Sequence, residues 1–278
     1  MANRRERDIG DWIPVVIVVV LVVALGAYVA HRVMGPGAGP AAASTAAAPA
    51  SVAASGTAPH HPITQAAAPA SASTAPLPAL DASDASVGAA LRALGGDRLR
   101  DLLLPQQIVN HIVTTVDALP RHELGSASIL PLRTPPGAFL ASETQGTIVA
   151  DARNAQRYAP YMAVVRRVDS SALVAWYVRN YPLFQQAYRE LGYPKGYFND
   201  RLIAAIDDML AAPQPPQPPA LLLANGRYTY ADPALESLSV GQKLMLRLGP
   251  ANEAELKVKL RVIRNLLTAR PAPDGAAP

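Results

Sequence analysis

Residues 169–191 read DSSALVAWYVRNYPLFQQAYREL, and this stretch decides the fold class. Asp169 or Ser170 can cap a helix start, and Leu173, Trp176, Tyr177, Phe184, Tyr188 and Leu191 recur at spacings that share one helical face. Pro182 has no backbone N–H to give a helix interior, so it is expected to kink or divide the helix. Upstream, Asp151 to Arg167 carries a helical pattern, and Ile108, Ile112, Val116 and Leu119 form an apolar stripe that ends before Pro120, with Pro105 available to initiate it. Leu91, Leu94 and Leu99 mark a shorter opening segment. Between them, Pro131, Pro135 and Pro136 around Arg133, Gly137 and Phe139 predict a loop.

Downstream, residues 192–196 punctuate the chain, and Asn199 or Asp200 begins a helix bearing Leu202, Ile206, Met209 and Leu210. The Pro-rich run 213–219 closes that unit. Leu221 to Leu223 and Arg227 to Tyr230 predict a small hairpin across Asn225-Gly226, a dipeptide suited to a tight primed turn. Helical pieces follow over 235–248, and Leu256, Leu260, Ile263 and Leu267 predict a final amphipathic helix from near Asn252. The class is mainly α: a compact helical domain over 80–270 with at most a minor β-hairpin, followed by a disordered tail over 271–278.

The N-terminal part is different in kind. IPVVIVVVLVVALGAYVA, Ile13 to Ala30, is 18 uncharged residues, about 27 Å of helix and roughly one bilayer core. A transmembrane helix is expected within 13–34, with Trp12 at one interface and His31 and Arg32 at the other. Arg4, Arg5 and Arg7 precede it, so residues 1–12 are expected in the cytoplasm and the large domain in the periplasm, by the positive-inside rule. A cleaved signal peptide, with Ala24 and Gly26 as small residues near the cut, is the competing reading, and the apolar stretch is long for one.

Residues 35–79 are dominated by Ala, Pro, Ser, Thr and Gly, with no Lys, Arg, Asp or Glu before Asp81. This composition predicts a disordered tether, reaching roughly 40 Å as a coil and about 140 Å if extended. The adjacent His60 and His61 lack two further ligands and read as incidental, so no metal or cofactor is expected. The chain has no cysteine, which excludes disulfides, thiol catalysis and cysteine-bound zinc.

Four segments carry a resemblance: Val116 to Arg121 (VDALPR), Asn180 to Pro194 (NYPLFQQAYRELGYP), Tyr228 to Pro233 (YTYADP) and Leu238 to Pro250 (LSVGQKLMLRLGP). In this order they resemble the uncharacterised bacterial DUF3014 family, whose layout is a short membrane span, a variable tether and one domain. The resemblance implies an inner-membrane, envelope location. It brings no reaction, cofactor or catalytic set.

The residues themselves show no catalytic constellation either. Arg201, Asp207 and Asp208, or Arg189 and Glu190, have the residue types for acid–base work but a spacing that suits a solvated face or a packing salt bridge. No serine sits in G-x-S-x-G, and neither His111 nor His122 lies in H-E-x-x-H. His111 adjoins the apolar stripe as a partly buried polar side chain, and His122 follows in a loop. From Glu236 to Arg270 seven basic residues face three acidic ones, yet Glu253–Lys257 and Glu255–Lys259 have the spacing of stabilising pairs on a solvent-facing helix, and no nucleic-acid motif accompanies the charge.

The aromatic concentration from Trp176 to Phe198 is the better clue. Trp176, Phe184 and Tyr188 suit the core. Arg189, Tyr193 and Tyr197, on or beside the glycine and proline turn, are the candidate binding residues, since aromatic rings and arginine anchor interfaces. The functional expectation is a noncatalytic membrane-tethered envelope adaptor or scaffold binding another protein; a cell-wall-binding module or a periplasmic hydrolase is the alternative. A deep polar cleft joining Arg189, Glu190, Asp207 or Asp208 would favour the enzyme.

Overall fold

The computed structural model describes residues 58–63, 76–124, 130–224 and 226–269. The expected span at Ile13–Ala30, the tail over 271–278 and the turn residue Asn225 lie outside them. Among the described residues no helix is long and apolar enough to cross a membrane.

The run that opened the sequence analysis forms α4, Ser170–Glu190, capped by the Asp169 carboxylate, which accepts from the Ala172 N–H at 2.7 Å. Pro182 does not divide it: the helix continues unbroken through that position. Trp176, Tyr177, Phe184 and Tyr188 are buried along its length, whereas Leu191 falls beyond the last turn and is exposed.

Three helices surround α4. α2 (Ile108–Ala118) packs on it, as does α8 (Pro250–Thr268), and α5 (Phe198–Leu210) closes the ring by touching both α2 and α8. Each side of the ring supplies an apolar stripe to one core. The aromatic rings interlock there: Phe184 meets Trp176 and Tyr177 edge-on at 5.7 and 5.5 Å and stacks on Phe198 at 5.7 Å, the arrangements that ring quadrupoles favour.

Outside the ring, α1 (Asp84–Leu102) bends at Gly96, whose φ of +70° is open to glycine at little cost, and packs on α3 (Ala159–Arg167). Pro105 does not start α2. Instead Gln107 takes a left-handed conformation, and the Asp84 carboxylate accepts from the N–H groups of Gln107 and Ile108 at 2.7 and 2.8 Å, so a side chain from α1 caps α2. The pieces between 233 and 248 are α6 (Pro233–Glu236) and α7 (Val240–Arg247); α7 opens with a capping box between Ser239 and Gln242.

Among the described residues there are two hairpins rather than one. β3 (Leu221–Ala224) and β4 (Arg227–Tyr230) form the expected pair, antiparallel with Leu221 opposite Tyr230 and Gly226 at φ +75°. β1 (Ala141–Thr144) and β2 (Thr147–Ala150) form a second, with Ala141 opposite Ala150, in the stretch between Phe139 and Asp151 to which the sequence assigned no element. Gln145 and Gly146 both take positive φ, 52° and 77°, as a primed turn requires. A bridge between Val149 and Ala220 joins the hairpins.

Two further expectations are corrected. Glu253 and Lys257 do not face solvent: they are 3% and 6% exposed, in ion contact at 2.8 Å but off hydrogen-bonding geometry, and the Lys257 ammonium donates to the Ala212 carbonyl at 2.6 Å. Glu253 and Lys257 do pair as the spacing suggested, whereas Glu255 and Lys259 take other partners. Glu255 takes a two-pronged bond from Arg166 of α3 at 2.8 and 2.9 Å, and Lys259 donates to the Val168 carbonyl. The spacing was right, but neighbouring elements cover that face.

Candidate functional site

The turn after α4 is built by Gln185. Buried at the helix end, its side-chain oxygen accepts from the Tyr181 hydroxyl at 2.7 Å and the Phe198 N–H at 2.9 Å, while its amide donates to the Gly196 carbonyl at 2.7 Å. One side chain thus fixes both the turn and the start of α5. The turn brings Arg189, Tyr193 and Tyr197 to one end of the domain: Arg189 is exposed, and both tyrosines are half-buried. Tyr193 stacks on Tyr188 at 4.5 Å, and its hydroxyl donates to Asp117 at 3.3 Å and accepts from Arg121 at 2.7 Å.

Asp117 is the hub below this turn. Only 4% exposed, it is bonded by Arg121, just beyond the end of α2, and by Arg201 of α5, whose Nε donates at 2.9 Å. Arg201 also donates to the Asp117 carbonyl, so the guanidinium ties α5 to both side chain and main chain of α2. The start of α7 docks on the same corner: Val240 N–H donates to the Arg121 carbonyl at 2.7 Å and Gly241 N–H to that of Leu119 at 2.9 Å. Gly241 has to be small, since a Cβ there would lie 2.9 Å from Met209 Cγ. Asp208 accepts from Ser239 Oγ, and burial pushes its carboxyl above the usual range. Three of the segments singled out in the sequence, around Asp117, Tyr193 and Ser239, therefore meet in one place.

A second feature lies between the hairpins and the first turn of α8. It is a cavity of about 830 Å³ lined by both hairpins, by Gln214 to Pro219, and by residues 246–253. Phe139 and Tyr228 form a tilted ring pair on its wall at 5.4 Å. None of Arg189, Tyr193 and Tyr197 lines it. Its two carboxylates are Asp151 and Glu253. The bond from Arg153 holds Asp151 down at about 2, and Glu253 faces Lys257.

The model of a family described as Protein of unknown function (DUF3014) matches residues 108–264, more than half of the chain. The chain belongs to this family. Searches of the curated proteins and of the solved structures found no match. The matched part of the DUF3014 domain begins at α2 and takes in the Asp117 corner and the cavity walls.

The acid–base candidates of this DUF3014 domain are separated and bonded structurally. Asp207 takes a two-pronged bond from Arg264 of α8, Asp208 holds Ser239, and Glu190 accepts from Gln186 at 2.9 Å. None of Arg189, Glu190, Arg201, Asp207 and Asp208 lines the cavity between the hairpins. His111 is half-buried and its Nδ1 makes no hydrogen bond to described residues; burial lowers its pKa. His122 is exposed. Of the basic C-terminal residues, Lys243, Lys257 and Arg264 sit in ion pairs and Lys259 on a carbonyl, so the local charge excess is largely committed to packing. Sequence reading missed the cavity, Gln185 and the Asp117 hub. A polar residue next to an apolar stripe, as Asp117 is beside Val116, is the signal that points to such a hub.

Proposed function

We propose that the chain is a noncatalytic, membrane-tethered envelope adaptor: Ile13 to Ala30 holds it in the inner membrane, and the domain on the periplasmic side grips a segment of another envelope protein. The cavity between the hairpins carries this reading. Its size, about 830 Å³, falls in the range of ligand sites, its walls are hairpin strands and a proline run, and Leu222 and Leu223 stand exposed on adjoining β3 at 55% and 57%. These features suit an extended apolar peptide better than chemistry. An Asp held near 2 is a poor general acid at neutral pH, and a Glu facing an ammonium is already committed. The Phe139–Tyr228 pair favours a second reading, a cell-wall-binding module, because such rings can stack on sugar. Arg189, Tyr193 and Tyr197 offer a smaller second surface for the same partner.

Photo-crosslinking in living cells tests this. A crosslinking residue in place of Phe139 is expected to capture one envelope protein, and one in place of Val258, exposed on α8, is expected to capture none. Single alanine substitutions of Arg189, Tyr193 and Tyr197 are expected to weaken capture by two- to tenfold with the helical spectrum unchanged, about the effect of an interface rim residue. Capture of glycan from Phe139 would support the wall-binding reading. Equal capture from Phe139 and Val258 would remove the cavity as the binding site.

A further inference from the structure

A short piece of the expected tether lies against the domain. The N–H groups of His60 and His61 donate to the two carboxylate oxygens of Asp200 at 3.0 and 2.7 Å, and Asn199 Nδ2 donates to the His61 carbonyl at 2.8 Å. Two residues on, Ile63 packs on the core. His60 and His61, read from sequence as incidental within a disordered tether, are therefore docked, and through main chain rather than imidazole.

The receiving side is preformed. Asn199 is 1% exposed, and its Oδ1 accepts from the Tyr177 hydroxyl at 3.2 Å, which leaves its amide donor directed at the segment. Tyr177 is itself fixed in the aromatic core against Phe184 and Phe198. Asp200, next in the first turn of α5, presents two acceptors to two successive N–H groups. All three bonds read backbone, and the chain bends at His60 and His61, so the site selects a bent conformation that turns two successive N–H groups towards one carboxylate, with Ile63 adding an apolar contact. Pro59 and Pro62 bracket the two histidines and carry no N–H of their own to offer Asp200.

We infer that Asn199 and Asp200 form a clasp for a bent peptide segment and that residues 58–63 of this same chain are its resident occupant. Closure has a mechanical consequence, which rests on the tether reading above. On that reading the expected connection between residue 35 and the domain drops from 45 residues to roughly 23, so its reach falls from roughly 40 to 29 Å as a coil and from about 140 to 70 Å extended. A clasp of three hydrogen bonds and one apolar side chain is weak enough to open. The domain then has a near and a far position relative to the surface that anchors it.

The test uses the full-length protein in detergent and reads amide hydrogen exchange at His60 and His61. In the wild type these amides are expected to exchange at least about tenfold more slowly than in a free peptide of residues 58–65, and Asp200→Ala to return them to the free-peptide rate while α4 stays protected. Asp200→Asn, which keeps one acceptor oxygen, should fall between. H60P/H61P removes both donors without touching the domain, and a fluorescent peptide of residues 58–65 should bind this variant at least tenfold more tightly than it binds the wild type. Free-peptide exchange in the wild type, or protection that survives Asp200→Ala, overturns the clasp. Protection lost on dilution assigns the occupant to a second copy and overturns closure within one chain. None of these readouts needs a membrane, so they stand or fall separately from the domain's location.

Discussion

Lys257→Ala is expected to lower folding stability by about 3–5 kcal/mol, because it strands the Glu253 carboxylate where only 3% of that residue meets solvent and leaves the Ala212 carbonyl without its donor. In a domain of this size that is a fall in Tm of roughly 6–20 °C. The double replacement, Glu253→Leu with Lys257→Met, is expected to recover most of the loss, since it removes both desolvated charges together and keeps the packing volume. Urea denaturation of the three proteins distinguishes this from the solvent-exposed pair that the sequence suggested. An exposed pair costs about 0–1 kcal/mol when broken, so a loss of that size in Lys257→Ala would show that the contact is hydrated.

Asp117→Ala should produce an effect of the same order, about 3–5 kcal/mol, by leaving the partly buried Arg201 guanidinium and the Tyr193 hydroxyl facing a vacated hub. Arg121→Ala should cost far less, about 0–1 kcal/mol, because half of the Arg121 side chain is already in water. The difference matters beyond stability. Asp117 joins α2, α5 and the turn bearing Tyr193, so its loss should also loosen the Arg189 surface, visible as faster exchange of the amides between 192 and 198. Equal, small effects from Asp117→Ala and Arg121→Ala would mean that the corner is held by the main-chain bonds of Val240 and Gly241 alone.

The helices were legible because Trp176, Tyr177, Phe184 and Tyr188, or Ile108, Ile112 and Val116, repeat with the period of a buried face, and one core accepts all of them. The hairpin ending at Tyr230 was legible from its turn glycine and the apolar run at Leu221. The hairpin at Ala141 was not, since Ser142, Glu143 and Thr144 are polar and no alternation marks a strand there. Helix periodicity also says which residues share a face, but not what covers that face. Glu253 and Lys257 therefore looked solvated until the chain around Ala212 was seen lying over them. The candidate site suffered most from this limit. Asp117 finds Arg201 84 residues away, and the cavity is assembled from separated stretches spread between Phe139 and Glu253, so neither exists at the level of local sequence. The turn at Arg189, Tyr193 and Tyr197 was local enough to be picked out, but the use of the Tyr193 hydroxyl by Asp117 and Arg121 was not.

The most direct measurement is thiol labelling in intact cells. The chain has no cysteine, so a single Gln217→Cys, on the exposed Pro-rich wall of the cavity, gives one defined probe. A domain held on the periplasmic side by Ile13 to Ala30 predicts that a membrane-impermeant maleimide labels this cysteine once the outer membrane is permeabilised, and that the labelled chain stays with the inner-membrane fraction. Labelling only after the inner membrane is disrupted would place the domain on the other side and contradict the proposed adaptor.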